Sequence, residues 1–167
     1  MAINMKLLPP EAYQAELAKR YESVAANLRR FIPSALIEHI GSSAVAGAVS
    51  KADLDICVIV DAAELATVVR ILQQQGYTEK LDTLRTAELC MLEWSQQNAD
   101  HAVQVVASGS RFETFFVDFR NLLRAKPELV EQYNQIKLKS AGLGVEKYRE
   151  AKSQFIAAAL AAKQNEA

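Results

Sequence analysis

Apolar residues recur along the chain with two different spacings, one typical of helices and one typical of strands. A three-to-four-residue period predicts helices at about 10–31, 62–75, 111–123, 127–141 and 145–160. Short runs rich in β-branched residues predict strands at 35–40, 54–60, 89–94 and 101–106. The order of these elements predicts an α+β domain. It would have a small mixed sheet with helices on one face and a helical C-terminal part.

Two capping boxes mark predicted helix starts, Asp61 with Glu64 and Ser110 with Glu113. In such a box the first side chain accepts a hydrogen bond from the backbone N–H three residues on. The carboxylate at that later position reaches back to the start of the helix. Both boxes are therefore expected to fix where their helices begin.

Two acids stand at the head of the most apolar predicted strand, where a charge is costly. Alternate side chains share a strand face, so Asp53, Asp55 and Cys57 are expected on one face. Leu54 and Ile56 then point the other way, into the helices. From Cα atoms roughly 7 Å apart, the two carboxylates could converge on a divalent ion. Hard oxygen ligands favour Mg²⁺ or Mn²⁺ over zinc.

The loop before these acids carries groups suited to phosphate. Gly41 lets the backbone approach closely, and the Ser42 hydroxyl with nearby N–H groups can cradle phosphate oxygens. Lys51 could neutralise further phosphate charge, and a metal–nucleotide complex requires this combination. Two plainer interpretations stay open. Asp53 and Asp55 together could be a solvated strand start, and Lys51 could form an internal salt bridge with Asp55.

Composition limits the classes of function that the chain can serve. Its 167 residues predict a single domain over 1–167, and a net charge of −1 shows no strong nucleic-acid signal. Cys57 and Cys90 lie inside apolar runs, which is typical of reduced core residues in a cytoplasmic protein. No apolar stretch approaches the ~20 residues of a membrane span. We therefore expect a cytoplasmic protein without a membrane segment.

The acid-bearing stretch resembles a known family. HIGSSAVAGAVSKADLDI (39–56) is similar to the GrpB family, and its Gly-Ser followed by Asp-x-Asp resembles the signature of the DNA polymerase β-type nucleotidyltransferase superfamily. FRNLLRAKPELVEQYNQIK (119–137) and KYREAKSQFI (147–156) resemble the C-terminal helices of the same family. The resemblance covers nearly the whole chain and implies a nucleotidyltransferase-type fold.

The resemblance also implies roles for individual residues. Gly41 and Ser42 would hold nucleotide phosphates, while Asp53 and Asp55 would bind Mg²⁺ or Mn²⁺ and act as the catalytic pair. Lys137 and Lys152 are further candidates to bind the ligand. The implied reaction transfers a nucleoside monophosphate from a nucleoside triphosphate to an unidentified acceptor.

One departure from the superfamily pattern concerns a third carboxylate on the neighbouring strand. Gln104 occupies the expected position, where it can hydrogen-bond a substrate but is a weak metal ligand; Glu93 and Asp100 are substitutes that the sequence does not place. Two alternatives therefore stand beside transfer. One is a non-catalytic module that binds a nucleotide or another phosphorylated metabolite, and the other is a regulatory partner protein that keeps only the fold.

The two histidines and the phenylalanine cluster are expected to have structural roles. His39 and His101 are expected to be hydrogen-bonded structural residues. The phenylalanine cluster is expected to be core rather than a platform for stacking bases. Its members are Phe112, Phe115, Phe116 and Phe119.

Overall fold

The computed structural model describes residues 6–95 and 100–166. The helices are α1 Gln14–Phe31, α2 Leu65–Gln74, α3 Arg111–Glu113, α4 Phe119–Ala125, α5 Pro127–Ser140 and α6 Val145–Gln164. A π-helical segment, Thr114–Asp118, joins α3 to α4. The strands are β1 Leu36–Ile40, β2 Asp55–Val60, β3 Thr78–Glu79, β4 Leu89–Trp94 and β5 His101–Ala107. The predicted helices and strands are thus confirmed, although the π-helical segment divides the helix predicted at 111–123. Among the described residues, the pattern does not predict the two-residue β3.

The strands form a mixed sheet in the order β1-β2-β5-β4-β3. Only the central pair, β2 and β5, is parallel, and the remaining neighbours are antiparallel. Asp55 stands opposite Ile40 on β1 and opposite Ala102 on β5. The first residue of β2 therefore lies at one end of its strand, between the end of β1 and the start of β5.

One face of the sheet packs against α1 and α2, as the alternation of side chains predicted. Leu54, Ile56 and Val58 are at most 1% exposed and belong to a single core cluster. The helices contribute residues such as Leu28 and Leu72 to that cluster. Each such side chain stabilises the fold by about 1.5–3 kcal/mol when it is fully buried.

The opposite face is also covered, by the helical C-terminal part of the chain. Cys57, Ile59 and Val106 on that face pack with Phe112 and Val117 from the segment that follows β5. The cause is visible in β2, whose residues after Asp55 are apolar on both faces and need cover on both. The C-terminal helices provide it, and they leave the Asp55 end of the face more open.

Both cysteines are buried and unpaired, as predicted for core thiols. Burial raises the pKa of Cys57 to about 12 and that of Cys90 to about 11, so neither is poised to react as a thiolate. None of the helices in the described ranges combines the length and the apolarity that crossing a membrane requires.

Only one of the two predicted capping boxes forms. The Ser110 hydroxyl accepts from the Glu113 N–H at 3.4 Å, and Glu113 Oε1 accepts from the Gly109 N–H at 3.1 Å. The box at Asp61 and Glu64 is wrong, because neither side chain caps a helix there. A 3₁₀ turn intervenes, in which the Glu64 N–H donates to the Asp61 carbonyl at 2.9 Å and so has no need of a side chain.

Candidate functional site

The turn after β1 depends on a glycine. Gly41 has φ 77° and ψ −176°, a conformation that is essentially restricted to glycine. A Cβ atom placed on it would lie 2.9 Å from Oδ2 of Asp55. The backbone of the turn therefore packs directly against this carboxylate, and a short 3₁₀ turn, Ser42–Ala44, carries the chain away.

The loop at 41–50 is held by hydrogen bonds from α1 and from the residue before it. The Tyr13 hydroxyl donates to the Ala48 carbonyl at 2.7 Å, and Gln14 Nε2 donates to the Val45 carbonyl at 2.6 Å. Tyr13 is 4% exposed, so its bond is shielded from water. The amino-terminal helix thus anchors the inner side of the loop.

A second set of contacts comes from α5. Asn134 Oδ1 accepts from the Val49 N–H and its Nδ2 donates to the Gly47 carbonyl, both at 2.9 Å. One amide side chain therefore replaces a short stretch of strand pairing. Together with the α1 contacts, these bonds give the loop a fixed shape without a ligand.

Lys137 lies behind the loop and is only 1% exposed. Its Nζ donates to Ser42 Oγ at 2.8 Å and to the Val49 carbonyl, and it stands 4.6 Å from the centroid of the Tyr133 ring. Burial, with a smaller contribution from the charge of Lys152, lowers the pKa of Lys137 to about 7. Lys137 therefore contacts the loop at two points, and it orients the Ser42 hydroxyl.

The two acids differ in their surroundings. Asp55 begins β2 and is half-buried, whereas Asp53 precedes the strand, with a side chain that is 61% exposed. Lys51 Nζ is 3.7 Å from Asp53 Oδ2, so the lysine pairs with the outer acid. The predicted strand start at Leu54 is therefore one residue early, and Lys51 pairs with Asp53 rather than with Asp55.

Asp55 carries the most unusual charge environment of the pair. Burial, followed by repulsion from Asp53, raises its pKa to about 6, while the positive charges of Lys152 and Lys51 oppose that rise. A carboxylate in this state is stabilised by any cation that reaches it. Perturbed acids in clefts are candidates for function on this physical ground.

Lys152, from α6, is the cation that acts most strongly on Asp55. Its own pKa is lowered by burial, and the negative charge of Asp55 partly restores it. Its Nζ lies 5.0 Å from the centroid of the Tyr148 ring, and Lys51 Nζ lies 5.9 Å from the same centroid. The ring thus separates two lysines that both face the acid pair.

Asp55 and Lys152 line a cleft of about 370 Å³ between the sheet and the C-terminal helices. The sheet contributes Asp55 and Gln104, and the loop contributes Gly41 and Ser42. The remaining lining residues are Ile40, Val45, Phe115, Phe116, Phe119, Arg120, Leu123, Tyr133, Arg149, Lys152, Ser153 and Ile156. One end is therefore polar and charged, and the other is largely apolar.

A third carboxylate does not join the pair within the described residues, where no group of three His, Cys, Asp or Glu side chains could hold a metal ion. Ala102 is the β5 residue opposite Asp55, and Gln104 lies two pairs further along, opposite Cys57. Glu93 is opposite Ala102 on the far side, where it lies 3.7 Å from Lys80. Asp100 is exposed, ahead of β5.

A second, more polar cleft of about 600 Å³ lies on the other side of the acid pair. Its lining includes Lys51, Asp53 and Glu93, and both Asp55 and Arg149 line the two clefts in common. Arg149 has no motif that would single it out in the sequence. Its place follows only from the way α6 crosses the sheet.

The histidines are hydrogen-bonded, as expected. His39 Nε2 is 2.8 Å from Ser43 Oγ, and burial, followed by the charges of nearby arginines, lowers its pKa to about 4. His101 Nε2 is 2.7 Å from the Tyr77 hydroxyl. Both side chains lie on the α1 and α2 side of the sheet, and His101 also lines the second cleft.

The prediction that all four phenylalanines are core holds for only part of the cluster. Phe112 and Phe119 are buried, but Phe115 and Phe116 are half-buried and line the cleft. The π-helical segment widens the turn at this point, which is why two consecutive aromatic rings can reach the same cavity.

Comparison with known proteins finds one matching family model and similar proteins in other bacteria. A family model described as GrpB protein matches residues 11–162. A UPF0157 protein of Vibrio cholerae is 48% identical over 153 residues, which are 92% of this chain and 80% of the relative. A UPF0157 protein of Halalkalibacterium halodurans is 30% identical over 154 residues, 88% of this chain and 73% of the relative.

Solved structures agree on the fold. The conserved protein GrpB from Enterococcus faecalis superposes with a TM-score of 0.73 at 22% identity, covering 95% of this chain and 99% of that one. A cytoplasmic RNA terminal U-transferase superposes with a TM-score of 0.51 at 18% identity, over 76% of this chain and 39% of that one. The α+β architecture is thus the one found in GrpB and in nucleotidyltransferase-like structures, and this chain belongs to the GrpB family.

Proposed function

We propose that the cleft binds a nucleoside triphosphate together with a divalent cation, Mg²⁺ or Mn²⁺. The observation that carries the proposal is the direct contact between the Gly41 turn and the Asp55 carboxylate. It puts backbone and hydroxyl donors suited to phosphate beside an oxygen ligand suited to a hard cation. A metal–nucleotide complex needs the phosphate donors and the cation ligand next to each other.

The acid pair fits such a cation. Magnesium in proteins is commonly held by one or two carboxylates, with substrate phosphates and water completing its coordination. Asp53 and Asp55 would supply the carboxylates, and the raised pKa of Asp55 indicates a group that a cation stabilises. The ion would neutralise part of the charge on the phosphates.

The loop that would bind the phosphates is already held in place by hydrogen bonds. Lys137 orients the Ser42 hydroxyl, and the loop that carries it is pinned by α1 and α5. Lys152 lines the cleft beside Asp55 and would contribute positive charge, while Lys51 would assist from the outer side through its contact with Asp53. Little reorganisation of the loop is then required on binding.

Transfer of the nucleoside monophosphate is a second candidate, favoured by the two clefts that meet at Asp55 and Arg149. An acceptor in the polar cleft would attack the α-phosphorus, and pyrophosphate would leave. The glutamine at position 104 and the alanine at position 102 weigh towards binding without turnover, because neither supplies a third carboxylate. A cytoplasmic location suits either function, since both need a supply of nucleoside triphosphate.

Calorimetric titration of the four nucleoside triphosphates, with and without Mg²⁺, tests the proposal. The wild type and an Asp53→Asn/Asp55→Asn variant would be compared. We expect binding that requires both Mg²⁺ and the acid pair. Failure of every triphosphate to bind the wild type at millimolar concentration would leave another phosphorylated metabolite or a fold-only partner protein as the remaining interpretations. Pyrophosphate release separates transfer from binding alone.

A further inference from the structure

The apolar end of the cleft has features that phosphate binding does not use. Phe115 and Phe116 lie next to each other on the π-helical segment with ring centroids 5.3 Å apart and ring planes at 89°, and both line the cavity. Leu123 and Ile156 add to the same wall. A triphosphate and its metal gain nothing from such a surface, whereas a planar aromatic group stacks on it favourably.

A polar side chain on the floor of this end is unpartnered. Gln104 is half-buried and lines the cleft, yet its amide makes no hydrogen bond to any residue in the described ranges. A side-chain amide offers two donors and an acceptor. Next to an aromatic wall, it can satisfy the polar edge of a flat heterocycle.

Arg120, which also lines the cleft, is already engaged, which argues against a second phosphate position beside it. Arg120 is 6% exposed; its Nη1 donates to Glu38 Oε2 at 2.7 Å and to the His39 carbonyl at 2.9 Å. Its Nη2 and Nε donate to Asn121 Oδ1. Anionic groups are therefore directed to the Asp55 and Lys152 end.

We propose that the apolar end receives the base of the nucleotide, which stacks on the face of Phe116 and meets Phe115 edge to face while Gln104 hydrogen-bonds its polar edge. This assignment rests on the proposed nucleotide site and adds the position of its base. The cleft has the volume of an ordinary small-molecule site. A single amide can present either its oxygen or its nitrogen, and stacking tolerates every base. The affinities of the four triphosphates should thus agree within about tenfold.

The test compares ATP with inorganic tripolyphosphate, each titrated with Mg²⁺ into the wild type, Phe116→Ala and Gln104→Leu. Tripolyphosphate has the charge of the nucleotide tail but no base. We expect the wild type to bind ATP more tightly than tripolyphosphate. Phe116→Ala should weaken ATP binding by roughly five- to hundredfold, as removal of a stacking ring does elsewhere, and leave tripolyphosphate binding unchanged. Gln104→Leu should weaken ATP binding severalfold, again with tripolyphosphate unaffected.

Phe31→Ala is the matched control, since Phe31 is a partly exposed phenylalanine at the end of α1 and does not line the cleft. Phe116→Leu keeps apolar bulk against the core and removes only the flat ring, so it covers the case in which the alanine variant unfolds. Equal affinities of the wild type for ATP and tripolyphosphate, or equal losses for both ligands in Phe116→Leu, would overturn the assignment and leave the phosphate site standing. If the wild type binds neither ligand, the proposed function falls first and the base position with it.

Discussion

A Cβ atom on Gly41 would lie 2.9 Å from Oδ2 of Asp55, closer than real Cβ atoms approach an oxygen. The turn that ends β1 and the carboxylate that begins β2 therefore exclude any side chain between them. This contact joins the phosphate-facing and metal-facing parts of the proposed site. Several consequences can be measured without knowing the ligand.

Gly41→Ala should destabilise the protein more than Gly144→Ala. Gly144, with φ 101° and ψ 159°, occupies a similar glycine-only conformation, but nothing lies within 4 Å of its Cβ position. The backbone strain of about 1–3 kcal/mol is then common to both variants. Only Gly41→Ala adds a clash of about 1–3 kcal/mol with Asp55. Urea unfolding of both variants measures the difference, and equal losses would contradict the close approach.

Asp55→Asn should stabilise the metal-free protein at neutral pH. The pKa of Asp55 is raised from 3.8 to about 6, so the folded state holds an extra proton between these values. Stability therefore falls as the pH rises through that window and stays lower above it. Removing the charge should recover about 2 kcal/mol at pH 7.

Urea unfolding between pH 3.5 and pH 7.5 checks this expectation. Asp53→Asn is the control, because that side chain is 61% exposed and its removal should change stability far less. If Asp55→Asn is no more stable than the wild type at pH 7, the positive charges around Asp55 offset the cost of burying its carboxylate.

Lys137→Met should flatten the pH dependence of stability on the alkaline side. Burial lowers the pKa of Lys137 from 10.5 to about 7, so the unfolded chain binds more protons between those values. Wild-type stability should rise with pH across this window by up to about 1.4 kcal/mol per pH unit from this lysine. The difference between wild type and variant isolates the effect from other titrating groups.

Lys139→Met, an exposed position on the same helix, should leave the wild-type slope intact. Parallel curves for wild type and Lys137→Met from pH 7 to pH 10 would mean that the buried amine keeps an ordinary pKa.

Asn134→Ala should loosen the loop at 41–50. The variant loses both 2.9 Å hydrogen bonds to the loop backbone, at a cost of about 1–3 kcal/mol. Hydrogen exchange of the Val49 amide should accelerate by roughly tenfold or more if local opening controls it. Gln135→Ala, at the exposed neighbouring position, should leave that exchange rate unchanged. An unaltered Val49 rate in Asn134→Ala would mean that the α1 contacts alone fix the loop.

The periodicity of the sequence was sufficient to predict the helices and the longer strands, because their apolar patterns are long and regular. It could not place β3, since Thr78 and Glu79 pair with β4 without any apolar alternation. Nor could it show that the C-terminal helices cover the second face. That arrangement depends on tertiary packing against Cys57 and Ile59. The apolar pattern of β2 is compatible with such packing but does not identify the segment that provides it.

The candidate site was predictable where its functional groups lie in one short segment that also contains the turn. Gly41, Ser42 and Asp55 come together because β1 and β2 are adjacent antiparallel strands. The difference between the two acids was not predictable, since it depends on where the strand begins. Phe115 and Phe116 were assigned to the core because ordinary helical spacing does not anticipate a π-helical turn.

The most direct test of the central claim measures Mn²⁺ at the acid pair by the relaxation of water protons. Wild type, Asp53→Asn and Asp55→Asn would each be titrated with Mn²⁺ in the presence and absence of a nucleoside triphosphate. We predict a relaxation enhancement for the wild type that requires the nucleotide, disappears in Asp55→Asn and weakens in Asp53→Asn. An enhancement of equal size in Asp55→Asn, or none in the wild type, would contradict a metal–nucleotide site at this carboxylate.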